Sequence, residues 1–182
     1  MPGLAIAEVV STDDSTGEGR IRLRFPDLPG APQGVMAPIA SALAGSGRGA
    51  FLMPEVGEEV LVGFHHGQFE FPFVIGYLWS GPERPPETDA QNRVFVTRTG
   101  HALRFEDGNN KVILKSGGGR TITLDDTAGT ITIETGGTTL IMDGTAITAS
   151  CGSTSITMDP ASIVLSGGGR QVALAGGAVA IT

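Results

Sequence analysis

TITLDDTAGTITIETGGTTLIMDGTAITAS, residues 121–150, decides the architecture. Apolar residues recur at every second position over a short step, a small turn follows, and the step repeats. Alternation at period two marks strands with one buried face. The apolar pairs are Ile122/Leu124, Ile131/Ile133, Leu140/Met142, Ile147/Ala149, Ile156/Met158, Ile163/Leu165, Val172/Leu174 and Val179/Ile181. Their first members are 9, 9, 7, 9, 7, 9 and 7 residues apart. Upstream, Val112/Leu114 and Leu103/Phe105 continue the pattern. A step this regular is an internal repeat, and the stretch reads as an array of strands of about three residues.

Composition separates the array from what precedes it. Hydrophobic residues make up 40% of the 182, yet all eight Phe, Trp79 and Tyr77 lie at or before Phe105. The front can fill a globular core with rings, whereas the back must be a narrow structure lined by aliphatic side chains. The formal net charge is -7, and after Arg120 five acidic residues face a single base, Arg170. That balance argues against a nucleic-acid surface, which needs clustered Lys and Arg. The single cysteine, Cys151, permits no disulfide within the chain. It shares the parity of Ile147 and Ala149 and is expected to be an inert, inward thiol. Residues 1–10 show neither the basic region nor the apolar core of a signal peptide. No apolar run approaches the roughly 18 residues of a membrane span. The expectation is a protein made in the cytoplasm without a signal peptide.

Along the chain, residues 1–80 read as a small barrel. AIAEVV and RIRLRF are strands, STDDSTGEG is an exposed turn, and PDLPGAPQG breaks the chain. VMAPIASALAG is compatible with a strand or a short helix. MPEVGEEVLVGF is a turn and a strand, and HHGQFEFPFVIGYLW is a hairpin turning near His66 and Gly67. Five or six short strands, Gly turns and aromatic filling fit a Greek-key barrel of the OB type. Residues 81–93, rich in Pro and charge, read as a linker, and residues 94–182 form the array. The fold class is all-β: an OB-like barrel, then a β-helix.

One copy of the array has no second layer, because no helical pattern occurs in it. Very short strands also leave edge groups unpaired. A single-chain solenoid is one solution, but two inward residues per strand leave it too thin to fill its middle. Three chains wound together form the other, with every strand pairing to neighbours from other chains and the aliphatics meeting on a common axis. The three-chain form is favoured, as an intertwined trimeric needle. Its core is expected at Ile122, Leu124, Ile131, Ile133, Leu140, Met142, Ile147, Ile156, Met158, Ile163, Leu165, Val172 and Leu174.

The chain resembles the central spike proteins of contractile injection machines, such as phage baseplate assembly protein V and the spike part of VgrG proteins. The resemblance covers nearly the whole chain. It rests on GRIRLRFPDL, on AFLMPEVGEEVLVGFHHGQFEFPFVIGYLWSG, on the Pro-rich linker and on RTGHALRFEDGNNKVILKSGGGRTITLDD. It implies a trimeric OB-fold collar and a triple-stranded β-helix that punctures an envelope. The linker leaves no room for the lysozyme domain of some relatives, so no enzymatic role is expected. The large hub domain that opens VgrG proteins is absent, which implies a separate hub protein at the OB end. The terminal His-x-His iron motif is also missing, which implies a PAAR-like tip protein at Val179, Ile181 and Thr182. No cofactor and no metal are expected. Pro54, Gly57 and Gly76 join the functional set in the collar.

Other motifs favour ordinary roles. SGGGR at 116–120 and again at 166–170 precedes a strand, not the helix of a phosphate loop, and reads as a corner. His65 and His66 lack a third ligand. His101 is expected to hydrogen-bond within its Gly-His turn. Glu58/Glu59 and Asp125/Asp126 are adjacent residues, so a strand splits each pair across two faces. The alternative function is an OB-fold module binding nucleic acid or oligosaccharide on a passive stalk, with Arg20, Arg22 and Arg24 lining one barrel face.

Overall fold

The computed structural model describes residues 3–28, 30, 34–81 and 83–182. Part of the break at 26–34 and Pro82 of the linker lie outside the described residues. The chain divides into two compact units, Met1–Pro85 and Pro86–Thr182, and both are all-β.

The first unit contains β1 (Leu4–Ser11), β2 (Arg20–Arg24), β3 (Val35–Pro38), a small hairpin of β4 (Ala44–Gly45) and β5 (Arg48–Gly49), β6 (Glu59–Phe64) and β7 (Pro72–Tyr77). The five longer strands form an antiparallel sheet in the order β3-β2-β1-β6-β7. The sheet curls on itself. Just after β3, Ile39 forms a parallel bridge with Val74 of β7, and the Ala40 N–H donates to the Val74 carbonyl at 2.8 Å. This is the OB-like barrel that the alternating strands called for. Inward positions carry Ala7, Val9, Ile21, Leu23, Ala37, Val60, Val62 and Val74, all fully buried. Full burial of each larger aliphatic contributes about 1.5–3 kcal/mol. Phe25, Phe64 and Phe69 add a ring cluster with centroids 5.1–5.8 Å apart.

Local chemistry sets the connections of this unit. In the 12–19 loop, the Asp14 carboxylate accepts from the N–H groups of Thr16, Glu18 and Arg20 at 2.8–3.0 Å. The ambiguous stretch from Val35 resolves as β3 followed by the β4/β5 hairpin, with no helix among the described residues there. Between β6 and β7 the chain turns through a 3-10 segment, His65–Gly67.

The second unit is one antiparallel sheet of 11 strands in chain order. They are β8 (Asn92–Val96), β9 (Ala102–Glu106), β10 (Lys111–Lys115), β11 (Thr121–Asp125), β12 (Thr130–Thr135), β13 (Thr138–Met142), β14 (Ile147–Cys151), β15 (Thr154–Met158), β16 (Ser162–Gly167), β17 (Arg170–Ala175) and β18 (Ala178–Ile181). Two expectations are corrected here. The strands hold four to six residues rather than three, and each pairs with its sequence neighbours in the same chain, not with strands from other chains. The cause lies in the turns. Between β16 and β17, Gly168 and Gly169 have φ of 59° and 74°. Consecutive positive φ values belong to tight hairpin turns that return the chain onto itself in register.

Connections alternate between the two long edges of this sheet. One edge carries the turns at 97–101, 116–120, 136–137, 152–153 and 168–169; the other carries 107–110, 126–129, 143–146, 159–161 and 176–177. Asp residues build several turns of the second edge. Asp143 accepts from the N–H groups of Thr145 and Ala146, both at 2.7 Å. Asp159 accepts from those of Ala161 and Ser162 at 2.7 and 2.8 Å. Short acidic side chains capture local backbone donors in this way.

Candidate functional site

Residues directly opposite in an antiparallel pair point to the same face, so the registers define what each face of the long sheet presents. Two apolar ladders run down one face. The first is Phe95, Leu103, Leu114, Ile122, Ile133, Leu140, Ala149, Ile156, Leu165, Val172 and Ile181. The second begins at Arg93 and continues through Phe105, Val112, Leu124, Ile131, Met142, Ile147, Met158, Ile163, Leu174 and Val179. Every residue expected in the core from the periodicity lies on these ladders. Phenylalanine occurs on them only at β8 and β9, and the rest beyond those strands is aliphatic. Ladder spacing of 4.7–4.9 Å makes the face roughly 50 Å long.

Within the second unit, no described residue covers this face. Ile122 is 36% exposed, Ile156 44% and Ile181 76%. The opposite face is mixed and carries most of the hydroxyls. Thr123, Thr132, Thr148 and Thr157 share its central row with Arg104 and with Val94, Ile113, Ile141, Val164, Ala173 and Ala180, and hydroxyls pair across strands, Thr139 with Ser150 at 2.5 Å and Thr148 with Thr157 at 3.4 Å. Continuous apolar ladders thus run on one side of the sheet only. At the last strand, Val179 and Ile181 project from the apolar side, and Thr182 exchanges two backbone hydrogen bonds with Gln171.

Charged groups gather where the sheet begins. Arg104 bridges Glu87, at 2.5 Å, and Glu106, at 2.6 Å. Glu87 also accepts from the N–H groups of Asp89 and Thr88 and from Asn92 Nδ2, and these bonds hold its carboxyl down at about 2. The residues just before β8 are therefore fastened to the sheet. Lys111 pairs with Asp125 at 2.8 Å, and Arg93 with Asp107 at 2.8 Å. The lysine hydrogen bond lowers the Asp125 carboxyl and raises the Lys111 ammonium.

The remaining motifs take structural places. His101 Nδ1 accepts from the Gly117 N–H at 3.2 Å, tying two turns together. In the first SGGGR copy, Ser116 Oγ accepts from the Arg120 N–H at 3.1 Å, whereas the second copy turns through Gly168 and Gly169 alone. The His65 and His66 rings stack edge-on at 4.1 Å, and no group of three or more His, Cys, Asp or Glu among the described residues could hold a metal. Cys151 is exposed, not buried as expected, because it sits at the strand end beside a turn and receives the Thr138 hydroxyl at 3.3 Å.

In the barrel, Pro54 is buried. The Gly57 N–H donates to the Val9 carbonyl at 2.8 Å, and Gly76 sits opposite Leu61 at a register shift. Arg20 pairs with Glu18 at 2.7 Å, Arg24 pairs with Glu8, and Arg22 donates to the Gly34 carbonyl at 3.4 Å. Each arginine expected to line a nucleic-acid face thus has a partner within the chain. A second apolar surface escaped the sequence reading: Leu4, Ile6, Leu61, Phe73 and Ile75 on the outside of β1, β6 and β7. Its signal was present in LAIA, which is apolar at both parities.

No curated protein matches the chain. Residues 5–79 match the type VI secretion system/phage-baseplate injector OB domain family, and that span takes in nearly all of the curled five-stranded sheet. The match identifies residues 5–79 as a type VI secretion system/phage-baseplate injector OB domain and leaves the long sheet outside it.

Proposed function

We propose that the chain is a trimeric, membrane-puncturing spike at the centre of a contractile tail or injection machine, with a mechanical function. The match of residues 5–79 to the injector OB domain supports a spike-type structural role. The observation that carries the finer reading is the bare apolar face. Monomeric proteins rarely expose contiguous apolar patches beyond roughly 300–600 Å², and here two apolar ladders run side by side along 11 strands. Three copies of the sheet, apolar faces together, bury those ladders around a dry axis and turn the hydroxyl faces outward. Load then passes along in-chain hydrogen-bond ladders braced against each other by aliphatic packing. The barrel's outer apolar patch supports attachment to a hub protein. The edge strand β18, with Val179, Ile181 and Thr182, supports contact with a PAAR-like tip protein.

Ile156→Asp tests this reading. The substitution puts a carboxylate at the same level in each copy, where like charges in a dry site strongly disfavour assembly. The expected result is loss of the SDS-resistant or heat-resistant trimer and absence of the chain from assembled particles. A mutant that stays a resistant trimer contradicts the proposal.

A further inference from the structure

The first unit carries a cleft of about 650 Å³ between the 12–19 loop and the arm that holds β4 and β5. Small-ligand sites span roughly 300–1,000 Å³, so the volume suits one. Its walls come from different elements: Glu18 and Gly19 from the loop, Leu43, Arg48 and Phe51 from the arm and the residues after it. Both walls are held in place by bonds within the chain. Asp14 gathers the loop through three backbone N–H groups at 2.8–3.0 Å. In the arm, Ser41 Oγ lies 3.0 Å from the Leu43 carbonyl and 2.7 Å from that of Ala50, and the Ala50 N–H donates to the Leu43 carbonyl at 2.9 Å. The Tyr77 hydroxyl fixes the next stretch by donating to the Leu52 carbonyl at 2.6 Å. A cleft built this way loses little entropy on binding.

Three side chains set what it can hold. Phe51 lies along Gly19, where a Cβ would stand 3.6 Å from its ring, yet the ring is 76% exposed. It offers a flat apolar platform. Arg48 lies across Gly45, where a Cβ would come within 2.8 Å of Nε, and has no ion pair among the described residues. Glu18, on the other wall, shares Arg20 at 2.7 Å and stays exposed. We infer that the cleft binds a short neutral oligosaccharide. Phe51 stacks on the C–H face of one sugar ring, whose positive hydrogens meet the negative face of the aromatic ring. Arg48 donates to sugar hydroxyls and Glu18 accepts from them. OB-type barrels take oligosaccharides or oligonucleotides between such loops, and charge decides between the two. A nucleic-acid groove needs clustered cations along the backbone path. Here one acid and one base line the cleft, and Arg20 beside it is engaged by Glu18. The inference goes beyond the spike reading and does not depend on it.

Titration calorimetry on the full chain tests it, with cellotriose, maltotriose and triacetylchitotriose as probes and oligothymidylate as the comparison. Saturable binding of at least one sugar is expected. Phe51→Ala should weaken it roughly tenfold, Arg48→Ala should weaken it less, and Trp79→Ala, which removes an exposed ring outside the cleft, should leave it unchanged. Both cleft residues are at the surface, so melting temperatures matching the unmodified chain confirm that the variants fold. No binding of any of the three sugars overturns the inference. So does sugar binding that ignores Phe51→Ala, because the platform is then not the site. Oligothymidylate binding that depends on Phe51 and Arg48, in place of sugar binding, overturns it in favour of a nucleic-acid cleft. None of these results changes the mass of the assembled chain, so the spike reading is judged separately.

Discussion

Ser155 and Ile156 are neighbours in β15 with opposite fates. Ile156 faces Ala149 and Leu165 on the apolar ladder, whereas Ser155 faces Ser150 and Ser166 on the hydroxyl face. Ser155→Asp is expected to alter stability by no more than about 0.5 kcal/mol, as surface changes do, and to leave assembly intact where Ile156→Asp abolishes it. Gel filtration of the two variants side by side checks the assignment of faces. The turn aspartates make a second residue-scale prediction. Asp143 and Asp159 lie below the ordinary value of 3.8, Asp143 chiefly through the Thr145 hydroxyl and Asp159 chiefly through the Ala161 N–H. Groups lowered on folding stabilise the fold above their unfolded values and lose that contribution as pH falls toward the folded ones. The melting temperature is therefore expected to hold from neutral pH to about 5 and to fall below about 4. Asp159→Asn keeps an acceptor but no charge, so its melting curve should depend less on pH in that acid range.

Among the elements, the tight turns explain why the sequence grouped the ladder residues on one face and yet led to the wrong pairing. Ladder residues were legible because period two assigns faces whichever chain supplies the neighbour. Pairing was not, because strands of the same pattern can meet in one chain or across several. The Gly-Gly turns held the answer, since two glycines between alternating runs are a hairpin signal, but they were read as corners of a coil. A side chain at Gly169 has open space around it, so conformation alone sets its cost. Gly169→Val is expected to cost about 1–2 kcal/mol and Gly169→Asn less, as melting temperatures would show. The segment before β8 was read as linker from its prolines. Its sequence could not reveal that Glu87 reaches Arg104, 17 positions away. Glu87→Ala should free this segment, and limited proteolysis should then cut between residues 86 and 92 faster than in the unmodified chain.

For the whole molecule, composition had already divided the labour. In the front, Phe25, Phe64 and Phe69 cluster in a self-sufficient barrel core, and the back half, with Phe95 and Phe105 at its start and aliphatics after them, forms a sheet that hides no ladder of its own. The barrel was legible because its strands alternate and its turns are rich in glycine. Its outer patch was not, because a strand apolar at both parities does not say which side meets the core. The central claim is that the bare face of the sheet is covered by two more copies of the chain. Light scattering on the purified full-length chain tests it most directly. Three chains of 18.7 kDa give about 56 kDa, and that mass should persist on dilution. A folded, stable species at 18.7 kDa contradicts the account.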